Sequence, residues 1–155
     1  MLESIDFSNA KFIVEYGPGT GAFTEKLLSR VKEDTLVLLV ETNKEFFEKL
    51  NVVYLHKNNV LIFNESAEKI DEILNEYGIH KVNYIISGLP FASLPKEVSD
   101  NLLNKTSKIL GHNGEFITFQ YSLLKTGLFK KFFKEINIDR ALRNLPPAYI
   151  LKCRI

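Results

Sequence analysis

Cysteine occurs once in the 155 residues, as Cys153, so no disulfide can form within the chain and a reducing compartment suits it best. Histidine is nearly as scarce. His56, His80 and His112 are scattered without metal-ligand spacing, so they read as surface or packing positions and no metal is expected. No apolar run approaches the roughly 18 residues of a membrane-spanning helix; the longest, Leu36 to Val40, is only strand-sized. Met1 to Ala10 carries Glu3 and Asp6 and lacks the apolar core of a signal peptide. There is no excess of one charge either: 20 Lys and Arg face 19 Asp and Glu, and a net charge of +1 gives no broad electrostatic footprint for nucleic acid. Ser87, Ser93 and Ser122 lack a Gly-x-Ser-x-Gly elbow and a companion histidine and acid, which argues against hydrolysis. A cytoplasmic location follows.

What is present is an alternation of short apolar runs with stretches of helical period, the pattern of parallel strands joined by crossover helices. Strands are expected near 11–16, 35–41, 59–63, 82–87 and 114–120. Helices are expected near 20–31, 43–50, 66–77, 95–110 and 123–134, with Gly78 and Gly111 as stops and Thr42 or Asn43 as a cap. Ile136 to Leu145 and Ala148 to Ile155, separated by Pro146-Pro147, predict an extended pair closing the sheet. No repeat, low-complexity tract or linker divides the chain, so one domain over 1–155 is expected.

The most telling segment is Val14-Glu15-Tyr16-Gly17-Pro18-Gly19-Thr20-Gly21-Ala22-Phe23, an apolar strand ending in an acid, three alternating glycines, then a helix. Such a turn lets a ligand approach the backbone and faces the free N–H groups of a helix start. It lacks the third glycine spacing of a dinucleotide fingerprint and the Gly-Lys-Ser/Thr of a P-loop. Glu15 would repel a pyrophosphate but attract a cation. A second apolar run ends in Glu41, placed to accept hydrogen bonds from ribose hydroxyls. Acid, glycine turn and second acid together suit S-adenosyl-L-methionine.

On these residues the chain resembles the class I methyltransferases. The resemblance implies a Rossmann-like α/β fold: a seven-stranded, mostly parallel sheet with helices on both faces and an antiparallel last strand. It also implies a cofactor site of Glu15, Tyr16, Gly17, Pro18, Gly19, Thr20 and Gly21, with Glu41 and Thr42 after the second strand and Ser87 after the fourth. A third cofactor signal is Asn64-Glu65-Ser66-Ala67, where relatives often have Gly-Asp-Ala. Aligned on Ala67, either Glu65 or Ser66 takes the acid's place beside the adenine; a helix cap by Ser66 is the structural alternative. Relatives usually carry a further helix before the first strand, so a substrate lid is expected to be lacking.

The resemblance implies that Ser87-Gly88-Leu89-Pro90-Phe91, at the end of the fourth expected strand, is the substrate loop, as in amino-methylating relatives. Adenine and glutamine methyltransferases usually present Asn or Asp where this chain has Gly88. The Ser-Gly-Leu-Pro form is similar to the bacterial phospholipid N-methyltransferases, relatives of the ribosomal RNA adenine dimethylases, and the likeness recurs at Gln120-Tyr121-Ser122 and Asn144-Leu145-Pro146-Pro147-Ala148. The implied acceptor is a phospholipid amine of the phosphatidylethanolamine type, at the inner face of a membrane. Ser87, Gly88, Leu89, Pro90, Phe91 and Tyr121 are the catalytic candidates. Tyr16, Phe91 and Tyr121 could face a methylated cation, although Tyr16 and Phe91 could equally be core packing. Lys125 to Lys134 has the content of an interfacial helix. Leu124, Leu128, Phe132 and Ile136 also recur with period four, as in a helix docked on the sheet. Ribosomal RNA adenine as the acceptor, and a cofactor-binding module inactive without a further segment, are the competing readings.

Overall fold

Strands covered on both faces must be apolar at consecutive positions, and the runs singled out above become the centre of one sheet. The computed structural model describes residues 2–141 and 148–155. In chain order the elements are β1 (Phe12–Tyr16), α1 (Ala22–Leu28), β2 (Leu36–Val40), α2 (Lys44–Tyr54), β3 (Val60–Phe63), α3 (Ile70–Glu76), β4 (Val82–Ser87), α4 (Lys96–Ile109), β5 (Leu110–Gln120), α5 (Thr126–Phe129), β6 (Glu135–Ala141) and β7 (Ala148–Arg154). The sheet order is β3-β2-β1-β4-β5-β7-β6. Neighbours from β3 to β5 are parallel, whereas β7 is antiparallel to both β5 and β6. The expected Rossmann-like architecture is therefore present, with the strand order reversing between β1 and β4, where such sheets bind ligands.

Alternate strand residues serve opposite faces. Val14, Tyr16, Leu38, Val40, Ile85 and Phe116 join the core under α3 and α4. Ile13, Val37, Leu39, Ile86 and Ile117 pack on the other side with Leu27 and Leu28 of α1 and with Leu2 and Ile5. On β7, Cys153 is wholly buried opposite Phe116. Burial first, and then the neighbouring Glu115 carboxylate, push its thiol up to about 12. Glu115 is itself buried and accepts a 2.9 Å hydrogen bond from Arg154 Nε.

Several boundaries differ from expectation for local reasons. Asn43 caps α2 by accepting from Phe46 N at 3.1 Å, and the helix runs four residues beyond the expected Leu50, to Tyr54. Ser66 accepts from Glu68 N and opens a single 3-10 turn, Ala67–Lys69, so α3 starts only at Ile70. Gly78 stops α3 as foreseen, in the left-handed conformation at φ 66°. Gly111 does not stop a helix but lies inside β5, where the pairing slips from Val82↔Leu110 to Tyr84↔Glu115. A Cβ at Gly114 would lie 3.0 Å from the Gly111 backbone and 3.1 Å from the Asn83 carbonyl, so this bulge closes only around glycine.

The helix expected over 123–134 shrinks to Thr126–Phe129. Leu124, the first residue of its period-four stripe, is 94% exposed, and the buried anchors are instead Phe129 and Phe133. Both rings meet Phe116, at centroid separations of 6.3 and 5.6 Å, and Phe91 closes the cluster edge-on to Phe116 and Phe129. The helical turn ends at Phe129, and the chain passes through turns at 130–132 before entering β6 at Glu135. Asn144, Leu145, Pro146 and Pro147 lie outside the described residues; Ala148 is the buried start of β7.

Replacing Phe116 by Ala is expected to cost about 3–5 kcal/mol, while Leu124→Ala stays within about 0.5 kcal/mol. Urea denaturation reads both; a large loss at Leu124 would restore the regular docked helix.

Candidate active site

The site is built where three strand ends meet. Gly17 N donates to Val40 O at 2.9 Å, tying the turn after β1 to β2, and Gly88 N donates to Tyr16 O at 3.1 Å, tying the end of β4 to β1. Gly17, Gly19 and Gly21 all have positive φ, so the turn winds through conformations that residues with a Cβ resist. A Cβ on Gly17 would also lie 2.8 Å from Leu89 Cδ2, and one on Gly88 would lie 3.1 Å from Gly17 O. The two turns thus touch backbone to backbone.

Glu41 braces this turn. It is 6% exposed; one carboxylate oxygen accepts from Gly19 N at 2.9 Å and the other from Asn43 N at 2.8 Å. Asn64, the residue after β3, supports it by donating from Nδ2 to the carbonyls of Glu41 and Thr42. Glu15 is more deeply placed, with Thr24 Oγ1 donating to Oε2 at 2.8 Å. Burial pushes the Glu15 carboxyl up to about 7; the Thr24 bond opposes this and the Glu41 charge adds to it.

Two hollows flank Gly17. The first, about 320 Å³, is walled by Glu15, Pro18, Phe23, Ile86, Ser87 and Phe119, with Thr20 and Gly88 also on its lining. The second, about 150 Å³, is bounded by Val40, Thr42, Ser66, Ala67 and Leu89. Gly17 belongs to both, and the Leu89 side chain fills the space a Cβ on Gly17 would take, so the two hollows meet at this glycine with Leu89 packed directly on it. A buried carboxylate in a mostly apolar hollow favours a cation there. The smaller and more enclosed second hollow, with Thr42 and Ser66 among apolar neighbours, suits a heterocycle. These features fit S-adenosylmethionine, which joins a cationic amino-acid arm to an adenosine.

The predicted residues do not all converge. Glu15, Gly17, Pro18, Thr20, Ser87 and Gly88 line the first hollow, and Thr42, Ser66, Ala67 and Leu89 the second. Glu65 instead points along the surface to Lys69, with an ion pair of 2.8 Å. The rings of Tyr16 and Phe91 are fully buried: Tyr16 Oη lies 3.2 Å from Thr106 Oγ1, and Phe91 packs on Phe116 and Phe129. Neither can present its face to a methylated cation, because each belongs to the core that supports the turn. Pro90 is exposed, and its carbonyl accepts from Ser93 N and Leu94 N to close the loop after β4. Tyr121 is 62% exposed and stands edge-on to Phe119 at 5.1 Å.

Sequence reasoning missed Phe23, Phe119 and Gln120. Phe23 was legible as the apolar residue in the first turn of the helix that follows the glycines. Phe119 immediately precedes the Gln120-Tyr121-Ser122 motif, and strand alternation would have sent it away from the buried Thr118. Gln120 Nε2 donates to Leu89 O at 3.0 Å and to Thr118 Oγ1 at 2.9 Å, clamping the loop after β4 onto β5. Ser87 is wholly buried, and its hydroxyl accepts from Leu89 N at 3.1 Å, so it shapes the loop from within.

Comparison with known proteins bears on this geometry. The family model for ribosomal RNA adenine dimethylase matches residues 1–138. An ornithine lipid N-methyltransferase from Singulisphaera acidiphila is 30% identical over 155 residues, covering 99% of this chain and 80% of the relative. A ribosomal RNA small subunit methyltransferase A from Hydrogenobaculum sp. is 31% identical over 109 residues; the match takes in 70% of this chain but only 39% of that relative's length. Among solved structures, the N-methyltransferase NodS from Bradyrhizobium japonicum WM9 in complex with S-adenosyl-l-homocysteine superimposes with a TM-score of 0.77 at 10% identity, covering 99% of this chain and 89% of that one. An rRNA methylase from Streptococcus thermophilus gives 0.70 at 15% identity, with 95% and 88% covered. These structural likenesses speak for the fold, and the sequence matches for descent. The chain belongs to the ribosomal RNA adenine dimethylase family and is an S-adenosylmethionine-dependent N-methyltransferase.

Proposed function

We propose that this enzyme methylates the amine of a membrane lipid, with an ornithine-type lipid first and phosphatidylethanolamine second among the acceptors. The observation that carries the reading is the bare Gly88 beside a hollow walled by Phe23, Ile86 and Phe119. That position offers no amide or carboxylate to read a base, while the greasy walls suit an amine on an apolar body. The lipid-named relative spans nearly all of this chain and the Hydrogenobaculum RNA-named one 70% of it, which favours the same acceptor. RNA adenine stays as the second reading because the family model carries that name.

Bound S-adenosylmethionine supplies a methyl group on a positively charged sulfur. In this reading Glu41 accepts from the ribose hydroxyls with lone pairs not used by Gly19 and Asn43, and Thr42 and Ser66 border the base. Glu15 holds the cationic arm from below the turn. The loop from Ser87 to Pro90 aligns the acceptor amine through its backbone, kept rigid by Gln120, and Tyr121 and Phe119 stand at the mouth. The loop would hold the acceptor amine in line with the methyl group that the cofactor supplies, and, with no histidine on the lining of the hollow, the proton the amine sheds would leave to solvent. Alignment of this kind can remove about 7–11 kcal/mol from a barrier.

Purified enzyme with methyl-labelled cofactor is expected to label ornithine lipid vesicles more strongly than phosphatidylethanolamine vesicles and to leave ribosomal RNA unlabelled. Label in RNA alone would replace the lipid reading, and cofactor binding without any transfer would point to the inactive module.

Glu15 gives a pH test. With a folded pKa of about 7 against an ordinary 4.5, the folded state holds an extra proton between those values, so the group's contribution to stability falls as pH rises through that window and is flat above it. Glu15→Gln is expected to remove this slope, so that its Tm gains on the original protein between pH 5 and 7.5. Affinity for S-adenosylhomocysteine, whose amino-acid arm carries an ammonium, should rise over the same window only when Glu15 is present. Identical pH profiles in calorimetry would refute the role.

Gly17→Ala is expected to cost about 1–2 kcal/mol from its left-handed backbone and to weaken cofactor binding more than tenfold by displacing the Leu89 side chain that lines the second hollow. Thermal melts with and without S-adenosylhomocysteine separate the two effects.

A further inference from the structure

The segment directly after β5 carries its apolar side chains outward. Tyr121 is 62% exposed, Leu123 37% and Leu124 94%. The segment is nonetheless held in place. Lys125 Nζ donates to the carbonyls of Phe91 and Leu94, each at 3.0 Å, and Thr126 Oγ1 donates to Leu123 O at 2.7 Å. Leu124 N is bonded to Ser122 Oγ, and Phe129 is buried just beyond. The leucines are therefore presented by an anchored loop.

Lysines surround them. One groove, about 290 Å³, is bounded by Leu124, Leu128, Lys96, Lys125 and Lys131. A second hollow is lined by Lys130, Lys131, Phe132 and Lys134; Lys131 belongs to both, so the surface is continuous. Lys96 and Lys131 share one acid, Asp100, at 3.5 and 3.8 Å. Among the described residues, Lys130 and Lys134 have no ion pair to an acid. Glu97 and Glu135 are the other acids of these segments, leaving lysine in excess.

We infer that this surface docks the enzyme on an anionic lipid bilayer, with Leu123 and Leu124 entering the boundary between headgroups and acyl chains and the lysines lying over acidic headgroups. Exposed leucines ringed by lysine are the composition of an interfacial anchor. Tyr121 is exposed beside these lysines, but no arginine lines either hollow and the most exposed tip is the aliphatic Leu124, a composition closer to an interfacial anchor than to an RNA groove; a second copy would set lysine against lysine. The position is also apt: Tyr121 touches Phe119, which lines the first hollow, so docking here turns the mouth of the site toward the membrane. The inference rests on the lipid-acceptor reading for its purpose, but its test needs no methyl transfer.

The test is flotation with vesicles of phosphatidylcholine, alone or mixed with phosphatidylglycerol, neither of which offers a primary amine. The intact protein is expected to float with the mixed vesicles, less so at high salt, and not with phosphatidylcholine alone. Lys130→Gln and Lys134→Gln should each weaken partitioning roughly fivefold, and Leu124→Ser roughly tenfold. All three should keep unchanged affinity for S-adenosylhomocysteine, which reports an intact fold. Absence of flotation, or flotation that the three variants leave unchanged, overturns the inference; so does a loss confined to RNA binding. Vesicle binding that follows the variants while no lipid is ever methylated would keep the docking surface and remove the proposed acceptor.

Discussion

The site depends on the approach of two backbone turns with nothing between them. Gly88 N reaches Tyr16 O, Gly17 N reaches Val40 O, and the space a side chain would occupy at either glycine already holds Leu89 or the Gly17 carbonyl. Because parallel strands deliver their carboxyl ends to one edge of the sheet, this contact decides where the two hollows lie and what divides them. The bare Gly88 is thereby both a close-packed position and a chemical feature. A larger residue there would press on the Gly17 carbonyl and shift the cofactor turn by a few tenths of an ångström.

Around that contact, polar side chains act mainly as braces. Glu41 spends both oxygens on the turn and on the start of α2, Gln120 and Ser87 hold the loop after β4, and Lys125 fastens the following segment to it. The phenylalanines beneath form the opposing wall of the core. A site that transfers a group by alignment needs this kind of stiffness more than it needs an acid or base.

How much could be read beforehand divides along physical lines. Strand runs such as Leu36–Val40 and the glycine turn are local patterns, dictated by burial on both faces and by positive φ, and they were legible. Gly78 and Asn43 also declared their roles, because stops and caps act within a few residues. The segment 123–134 was misleading because two periodicities coexist in it; tertiary packing chose Phe129 and Phe133 over the stripe beginning at Leu124. Gly111 was misread since its neighbour Gly114 answers to Asn83, on another strand, which no local pattern announces. Tyr16 and Phe91 were ambiguous for the same reason, as the direction of a ring at a strand end is settled by its three-dimensional neighbours. Phe23 and Phe119 became visible only when the sheet brought them to one hollow.

The buried position of Cys153 has a practical side. Its thiol, sealed between β5 and β6 and pushed up to about 12, is almost never a thiolate in the intact molecule. An alkylating reagent can therefore reach it only when the seam along β7 parts. The chain thus contains an intrinsic chemical gauge of how often its antiparallel edge breathes, readable by mass without any added label.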